Sequence, residues 1–209
     1  MLAFSRIASF VLFVLSLSFL TYAAPTPISN ELSVRGEGAG EAGILVAACV
    51  DLRAKLYLNA DIVAKLDDVA QVKAVVDVMV RDLKVYADLV LKVKGIKVDA
   101  ALQAEIAAHL LVILNTIVRT CATIIAKFGV SVCLDIIATL QVALKLVIDN
   151  LNICIVGFID VFVKLIADAQ LKAIADVRLD VLLKLFLSVR ARLGLNVNLG
   201  LGALADVSL

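Results

Sequence analysis

The sequence predicts an all-α protein, an antiparallel bundle of about five long, amphipathic and unusually apolar helices. Three observations predict this fold. Residues 99–154 are almost entirely Ala, Val, Leu and Ile, with thinly spaced polar residues. Opposite charges recur at three- and four-residue steps along most of the chain, the spacing that places side chains on one helical face. No alternating stretch of comparable length indicates a β-strand.

Length, hydrophobic content and net charge limit the kinds of protein that this chain can form. The 209 residues suffice for one domain with a core. Hydrophobic residues make up 63 %, against roughly 45–50 % in ordinary soluble domains, and the mean hydropathy is +1.06. Charged residues still amount to 19 % and nearly cancel, with a net charge of +1. No nucleic-acid partner is expected, because nucleic-acid binding requires a basic face.

The N-terminal segment has the pattern of a secretory signal peptide over residues 1–23. Arg6 supplies the positive charge, and Ile7–Leu20 is an apolar run too short to span a bilayer easily. Cleavage is expected after Ala23, with an uncleaved anchor as the alternative. Residues 24–43 contain both prolines and four glycines and predict a disordered leader.

The helical domain is predicted to span residues 44–194. A short first helix, Ile44–Leu58, is expected to break at Asn59–Asp61, where Asp61 becomes the N-cap of a second helix. That second helix is expected to end at Gly95. It carries a stripe of alternating charge at helical spacing, formed by Asp77, Arg81, Lys84, Asp88 and Lys92.

Two long apolar helices are expected on either side of Gly129. Asp99 is the predicted N-cap of the first, and Gly129 is predicted to end it. Each helix is expected to present a narrow polar stripe to water and a wide apolar surface. The polar residues are Glu105, His109, Thr116, Arg119, Thr120, Thr123 and Lys127 on the first helix, and Gln141, Lys145, Asp149 and Asn152 on the second. Helices this apolar must be enclosed by other helices, by lipid or by an apolar ligand.

The C-terminal part is expected to form one last helix, ended by Gly194. Asn150, Asn152 and Gly157 interrupt or kink the chain before it. A charged residue at every fourth position predicts one regular outer stripe, formed by Asp160, Lys164, Asp168, Lys172, Asp176, Asp180 and Lys184. Residues 195–209 are a tail without an assignment.

Four cysteines in a chain with a secretory pattern predict two disulfides. Cys121 and Cys133 flank the turn at Gly129. Cys133 and Cys154 would be separated by about 30 Å in a continuous helix, beyond the reach of a disulfide. We therefore expect the pairs Cys121–Cys133 and Cys49–Cys154, with four buried free thiols as the alternative.

The candidate site is apolar, and no catalytic residue, cofactor or metal site is predicted. The single histidine, His109, and the lack of a Cys-x-x-Cys pair argue against zinc and against a catalytic triad, so we expect a non-enzymatic protein. His109 is expected to be an ordinary, partly exposed helix residue. We predict a cavity for an acyl chain between the paired apolar helices, with close packing of the same residues as the alternative. The predicted lining is Leu110, Leu111, Leu114, Ile137, Leu140 and Leu144.

A family resemblance supports an extracellular location. The N-terminal sequence MLAFSRIASFVLFVLSLSFLTYAAP, the leader with SVRGEG and the Val/Leu/Ala-rich helical body resemble small secreted proteins of mushroom-forming fungi, whose activities are uncharacterised. More loosely, the chain is similar to fungal hydrophobic-surface-binding and cell-wall lipid-binding helical proteins. The resemblance implies an extracellular or cell-wall location and carries over no functional residue.

We therefore expect a secreted helical protein that binds apolar ligands, lipids or hydrophobic surfaces. One alternative is a membrane protein, whose best spans would be residues 106–125 and 128–148. These spans contain Arg119, Asp135 and Lys145, and each charge near a bilayer centre costs roughly 2.5–3.5 kcal/mol on insertion scales. The other alternative is a structural, self-associating protein of the cell wall.

Overall fold

Seven helices build the part of the chain that the structure, a computed structural model, describes: residues 39–93 and 98–196. They are α1 Ala39–Lys65, α2 Val69–Lys92, α3 Ala100–Phe128, α4 Val130–Cys154, α5 Phe158–Leu165, α6 Asp168–Asp176 and α7 Asp180–Arg192. Helices contain 87 % of the described residues, which include no strand, so the all-α prediction is confirmed. The predicted signal peptide, Gly95 and the tail beyond residue 196 lie outside the described residues.

The first helix is longer than predicted. It begins five residues before Ile44 and continues through Asn59–Asp61 without a break. The expectation that Asp61 caps the second helix is therefore wrong. Its carboxylate instead lies 3.5 Å from the guanidinium of Arg119 in α3. The N-cap of α2 is Asp68, whose side chain accepts a hydrogen bond of 2.9 Å from a backbone N–H three residues later.

The predictions at Asp99 and Gly129 are confirmed. The Asp99 carboxylate accepts a hydrogen bond of 2.8 Å from the N–H of Leu102 and caps α3. Gly129 has a φ of +82°, a conformation that glycine adopts without a Cβ penalty. It donates its N–H to the carbonyl of Ile125 at 2.9 Å. A single residue thus ends α3 and begins α4, so these two helices meet at one end.

The C-terminal part forms three short helices, not one, and this difference accounts for the change from about five helices to seven. Asn150, Asn152 and Gly157 were expected to interrupt or kink the chain before the last helix. Only Gly157 lies at a break, because α4 continues to Cys154. The chain turns again at Ile166–Ala167 and at Arg178, which has a φ of +62° although it is not a glycine. Gly194 lies just beyond α7 with a φ of +68°, as predicted for its end.

Packing between α5 and α7 explains why these turns form. Phe162 stacks on Phe158, with 6.0 Å between the ring centroids, and meets Phe186 edge-on at 5.8 Å. All three rings are fully buried. Such a cluster forms only when α7 folds back on α5, and its burial offsets the strain at the turns.

The prediction of one charged outer stripe along this part is wrong, because its members lie on three helices. Asp160 of α5 pairs with Arg192 of α7. Asp168 at the start of α6 pairs with Arg190 of α7 at 2.6 Å. These carboxylates therefore connect the short helices to one another.

Helix α1 packs chiefly on α3, and polar side chains of α3 contribute to this contact. His109 contacts Arg53 at 3.2 Å, and further along both helices the ammonium group of Lys127 donates to the carbonyls of Ala64 at 2.8 Å and Leu66 at 2.7 Å. The two helices thus run in the same direction. The predicted polar stripe of α3 largely faces α1.

Three threonines of that stripe do not face water as predicted. Thr116 and Thr120 are 6 % and 2 % exposed, and Thr123 is partly buried. Each hydroxyl donates to the carbonyl four residues earlier in α3, at 2.8–3.0 Å. A threonine can satisfy its hydroxyl within its own helix in this way, so its presence in a pattern does not by itself indicate an exposed face.

Helix α2 packs chiefly on α4, also in the same direction. The amide of Asn150 donates to the carbonyl of Ala87 at 3.0 Å, and four residues further on the thiol of Cys154 lies 3.4 Å from the carbonyl of Val90. Both major helix contacts therefore join parallel neighbours. Helices α5, α6 and α7 pack beside α3 and α4.

Candidate functional site

One side of α4 carries a row of exposed apolar residues. Leu134, Ala138, Val142 and Leu146 follow each other at four-residue steps, and we call these four residues the α4 outer face. The exposed fractions are 47 % for Leu134, 63 % for Val142 and 38 % for Leu146. Ile153 extends the apolar surface towards the end of the helix and is 61 % exposed.

Helix geometry explains the position of this face. Each residue advances about 100° around a helix, so residues near the middle of the face lie directly opposite Leu140. Leu140 and Leu144 point into the core and have no exposed surface. The helix carries apolar residues on both sides, and packing of α2 and α3 against one side leaves the other in solvent.

Charged residues interrupt this face: at about 100° per residue, Asp135, Lys145 and Asp149 lie within the sector that its four residues span. Asp135 is exposed, and the ammonium of Lys145 lies 2.5 Å from the Asp149 carboxylate. Gln141, which we expected to face water, is only 7 % exposed. Its side-chain oxygen accepts a hydrogen bond of 3.0 Å from the N–H of Val181 and so holds the start of α7 against α4.

The six residues predicted to line a cavity lie together in the core between α3 and α4. Leu110, Leu114, Leu140 and Leu144 have no exposed surface, and Ile137 has 1 %. Leu111 is partly exposed. A void that held even one water molecule beside the four leucines would leave them with measurable accessible surface. The acyl-chain cavity is therefore not formed in this structure, and the residues pack closely, as in the alternative we described.

All four cysteines are free in the structure, so neither predicted disulfide is formed there. Cys121 and Cys133 lie near each other at the end shared by α3 and α4, and Cys133 adds to the rise of the Cys121 pKa. The thiol of Cys133 instead contacts the carbonyl of Ile124 at 3.7 Å. Cys49 interacts with Tyr86 of α2, one turn before the residue that Cys154 contacts. The two pairings stay predictions.

The buried thiols are poorly suited to nucleophilic chemistry. Burial raises the pKa of Cys49 to about 11 and that of Cys121 to about 12, and it also raises the pKa of Cys133. A thiolate is the reactive form of cysteine, and a raised pKa keeps the group protonated.

The contacts of His109 indicate a structural role between two helices. Its Nδ1 lies 3.2 Å from Nη1 of Arg53, and a guanidinium can only donate, so Nδ1 is an unprotonated acceptor. Its Nε2 lies 4.0 Å from the Glu105 carboxylate. Burial, followed by the charge of Arg53, lowers the pKa of His109, and Glu105 partly opposes this. The imidazole is therefore neutral near pH 7 and connects α1 to α3.

A shallow cleft of about 80 Å³ lies between α1 and α2. Its lining includes Asp51, Lys55, Asp82, Val85 and Tyr86. Asp51 and Lys55 form an exposed ion pair at 2.7 Å. Such a volume accommodates only a few atoms. Within residues 39–93 and 98–196, no group of three or more His, Cys, Asp or Glu side chains is arranged to hold a metal ion.

Two helices are long and apolar enough to cross a membrane, by length and composition alone. They are α3 and α4, with window hydropathies of 1.7 and 1.9. About half of each window is buried within the protein, 56 % and 50 % respectively. The same values are found for the core helices of soluble proteins, so they do not separate the two classes.

Fold and site together define a class: an all-helical protein with a close-packed interior and with exposed apolar residues on its surface, including those of the α4 outer face. No family model, curated protein or solved structure matches the chain.

Proposed function

We propose that this is a secreted, non-enzymatic helical protein that binds hydrophobic surfaces or lipid through the α4 outer face. The observation that carries the proposal is the exposure of Val142 at 63 %, between Leu134 and Leu146, which are also exposed. Exposed apolar residues that are grouped on one helix favour an interaction site more than a scatter of single apolar residues does.

The geometry favours a surface over an internal ligand. Leu114 and Leu140 already fill the space between α3 and α4, and both are fully buried. An acyl chain would have to displace them. Contact through the outer face requires no rearrangement of the core, since its side chains already face solvent.

The test uses two valines that share the same exposure. Val142 on α4 and Val85 on α2 are each 63 % exposed. Burying a valine contributes about 1.5–3 kcal/mol, so the exposed part of Val142 supplies about 1–2 kcal/mol of adsorption, a factor of about five to thirty in affinity. We expect Val142→Ser to weaken binding to phosphatidylcholine vesicles and to alkane droplets by this factor, measured by co-sedimentation.

Val85→Ser is the matched control and should leave binding unchanged, because Val85 lies outside the α4 outer face. Equal losses in the two variants would mean that adsorption is not localised to α4. Unchanged binding in both would remove the α4 outer face from the proposal.

Secretion and the disulfides belong to the same proposal. The apolar run before Ala23 supports cleavage there, so N-terminal sequencing of the secreted protein should begin at Ala24. In an oxidising compartment, we expect a non-reducing peptide map to contain Cys121–Cys133 and Cys49–Cys154. A Cys49–Cys121 peptide would contradict the pairing.

Membrane insertion is the second candidate, and the apolar length of α3 and α4 favours it. Against it, Asp135 is exposed on α4 and Lys145 is partly exposed, and charges within a bilayer are costly. Arg119 of α3 is paired with Asp61 of α1 rather than with a second charge on a spanning helix. Extraction of cell membranes at alkaline pH separates the candidates, because an inserted protein stays in the pellet and an adsorbed one is released.

A further inference from the structure

We propose that helices α5, α6 and α7 (residues 158–192) form a lid, which swings away from α3 when the protein meets an apolar surface. The chain bends at Gly157, and the side of α3 that the lid covers then contacts the surface beside α4. The inference rests on the proposed function, because it describes how the adsorbed protein enlarges its apolar contact.

The charges on α4 limit the contact that this helix makes alone. Asp135, Lys145 and Asp149 lie within the sector of the α4 outer face. A charge loses hydration when it approaches an apolar surface, so these residues restrict how closely α4 packs against it. Adsorption through α4 alone therefore buries only a few apolar side chains.

The lid covers a side of α3 that carries no charged residue. Two hydrogen bonds mark this side. Nε2 of Gln103 donates to the carbonyl of Val156 at 3.4 Å, and Nε2 of Gln170 donates to Oδ1 of Asn115 at 3.0 Å. Gln103 and Asn115 are separated by about 18 Å along α3. At about 100° per residue, the apolar residues on the same side are Ala107, Leu111, Leu114 and Val118.

The charged residues of α3 lie on the side of α1. Arg119 contacts Asp61 of α1 at 3.5 Å, and Lys127 donates to two backbone carbonyls at the end of α1. Glu105 lies 4.0 Å from His109, which contacts α1. Opening of the lid therefore exposes an uncharged strip of α3 while α1 stays bound.

Contacts within the lid connect its three helices to one another. The aromatic cluster described above joins α5 to α7. Arg192 of α7 pairs with Asp160 of α5, and Arg190 of α7 pairs with Asp168 of α6 at 2.6 Å. None of these contacts involves α3 or α4, so the lid can move as one body without losing them.

The lid is joined to α4 by a short turn and by hydrogen bonds between neutral groups. Gly157 has a φ of +75°, and Val156 before it is 95 % exposed, so rotation at this turn disturbs little packing. Beyond the turn, the side-chain oxygen of Gln141 accepts the hydrogen bond of 3.0 Å from Val181. A neutral hydrogen bond contributes only modestly to stability, so its loss does not prevent opening.

The surroundings decide whether the lid is closed. In water, opening would expose the apolar sides of α3 and of the lid, and the hydrophobic effect keeps them together. On an apolar surface both sides stay out of water, because contact with the surface replaces their contact with each other. The surface therefore binds the open form better, and this difference in affinity shifts the equilibrium towards it.

The opening is measured as a distance between two spin labels in the full chain. Ala108→Cys in α3 and Ala169→Cys in α6 place labels at exposed positions on either side of the boundary. Cys154→Ser is added, because the other three native thiols are buried. On phosphatidylcholine vesicles the distance from pulsed EPR should increase by more than about 10 Å, one helix diameter. Labels at Ala54→Cys in α1 and Ala108→Cys are the control pair and should keep their distance.

Two single variants connect the opening to affinity. Gln141→Ala removes the hydrogen bond to Val181, which exists only while the lid is closed. The open fraction should rise, and adsorption to the same vesicles should strengthen about fivefold. Asn150→Ala is the matched control, because it removes a hydrogen bond of the same length between α4 and α2. It should not strengthen adsorption, since α2 stays in place.

The outcomes separate the lid from the proposed function. Adsorption with an unchanged distance between the labels on α3 and α6 would refute the lid and leave the proposed function intact. An equal increase for the control pair would mean that the whole bundle spreads, and equal effects of Gln141→Ala and Asn150→Ala would mean general destabilisation. Either result would also refute the lid. A protein that does not adsorb would refute the proposed function and the lid with it.

Discussion

Shortening Leu114 tests whether the interior between α3 and α4 is close-packed. Leu114 has no exposed surface, so no existing void can absorb the lost volume. Removing three buried carbon atoms costs about 2.4 kcal/mol in transfer free energy, and the new cavity raises the total to about 3–5 kcal/mol. We expect Leu114→Ala to lower the free energy of unfolding by this amount, measured by urea denaturation followed by circular dichroism.

Two further variants make the test discriminating. Leu111→Ala on the same helix is the control, because Leu111 is partly exposed and its removal should cost clearly less. Leu114→Trp adds volume where none is free, and overpacking typically costs 1–3 kcal/mol. If an acyl-chain cavity lay beside Leu114, the tryptophan would be tolerated and the alanine would cost only the transfer free energy. A Leu114→Trp protein as stable as the unmodified one would therefore refute close packing.

Three other changes have defined outcomes. The lowered pKa of His109 means that the unfolded chain binds a proton first as the pH falls through 6.5. The contribution of His109 to the free energy of unfolding should therefore be constant above that pH and decline below it, and urea midpoints for His109→Gln should lack this part of the decline. Gly129→Ala should destabilise by about 1–3 kcal/mol, because its φ of +82° is strained for alanine, whereas Gly43→Ala inside α1 should stabilise by up to about 1 kcal/mol in the same assay. A destabilising Gly43→Ala would contradict the helical assignment there. Asn150→Ala removes a buried hydrogen bond to Ala87 and should cost about 1–3 kcal/mol; a neutral effect would contradict that contact.

Capping residues in the sequence predicted a helix end correctly where only one suitable capping residue was present. Asp99 and Gly129 are confirmed because a cap needs only a nearby N–H or a permissive φ. At the α1–α2 boundary Asp61 and Asp68 are both suitable N-caps, and the local pattern does not choose between them. The attraction between Asp61 and Arg119 favours the longer α1, and this contact joins residues far apart in the sequence.

No capping residue in the sequence indicated that the last predicted helix is divided into three. Arg178 adopts a positive φ that its side chain disfavours, so the sequence there resembles continuous helix. What stabilises the turn is the burial of Phe158, Phe162 and Phe186 together, a contact between α5 and α7. The four-residue spacing of charges wrongly indicated a single helix. This spacing persists in the sequence whether or not the helix is continuous.

The α4 outer face shows why composition cannot locate a binding surface. Helices α3 and α4 have almost equal hydropathies of 1.7 and 1.9 and similar buried shares. Yet α3, which is described over its whole length, has no large apolar side chain among the exposed residues, and its exposed positions are filled by alanine, Glu105 and Lys127. On α4 the exposed positions include Leu134, Val142 and Leu146. A core helix gains nothing from exposed leucine and valine, whereas a helix that meets an apolar partner gains from each of them. The surface that we propose for binding is therefore the side of α4 that its neighbours leave uncovered, and that side is determined by the packing of α2 and α3 rather than by the sequence of α4 alone.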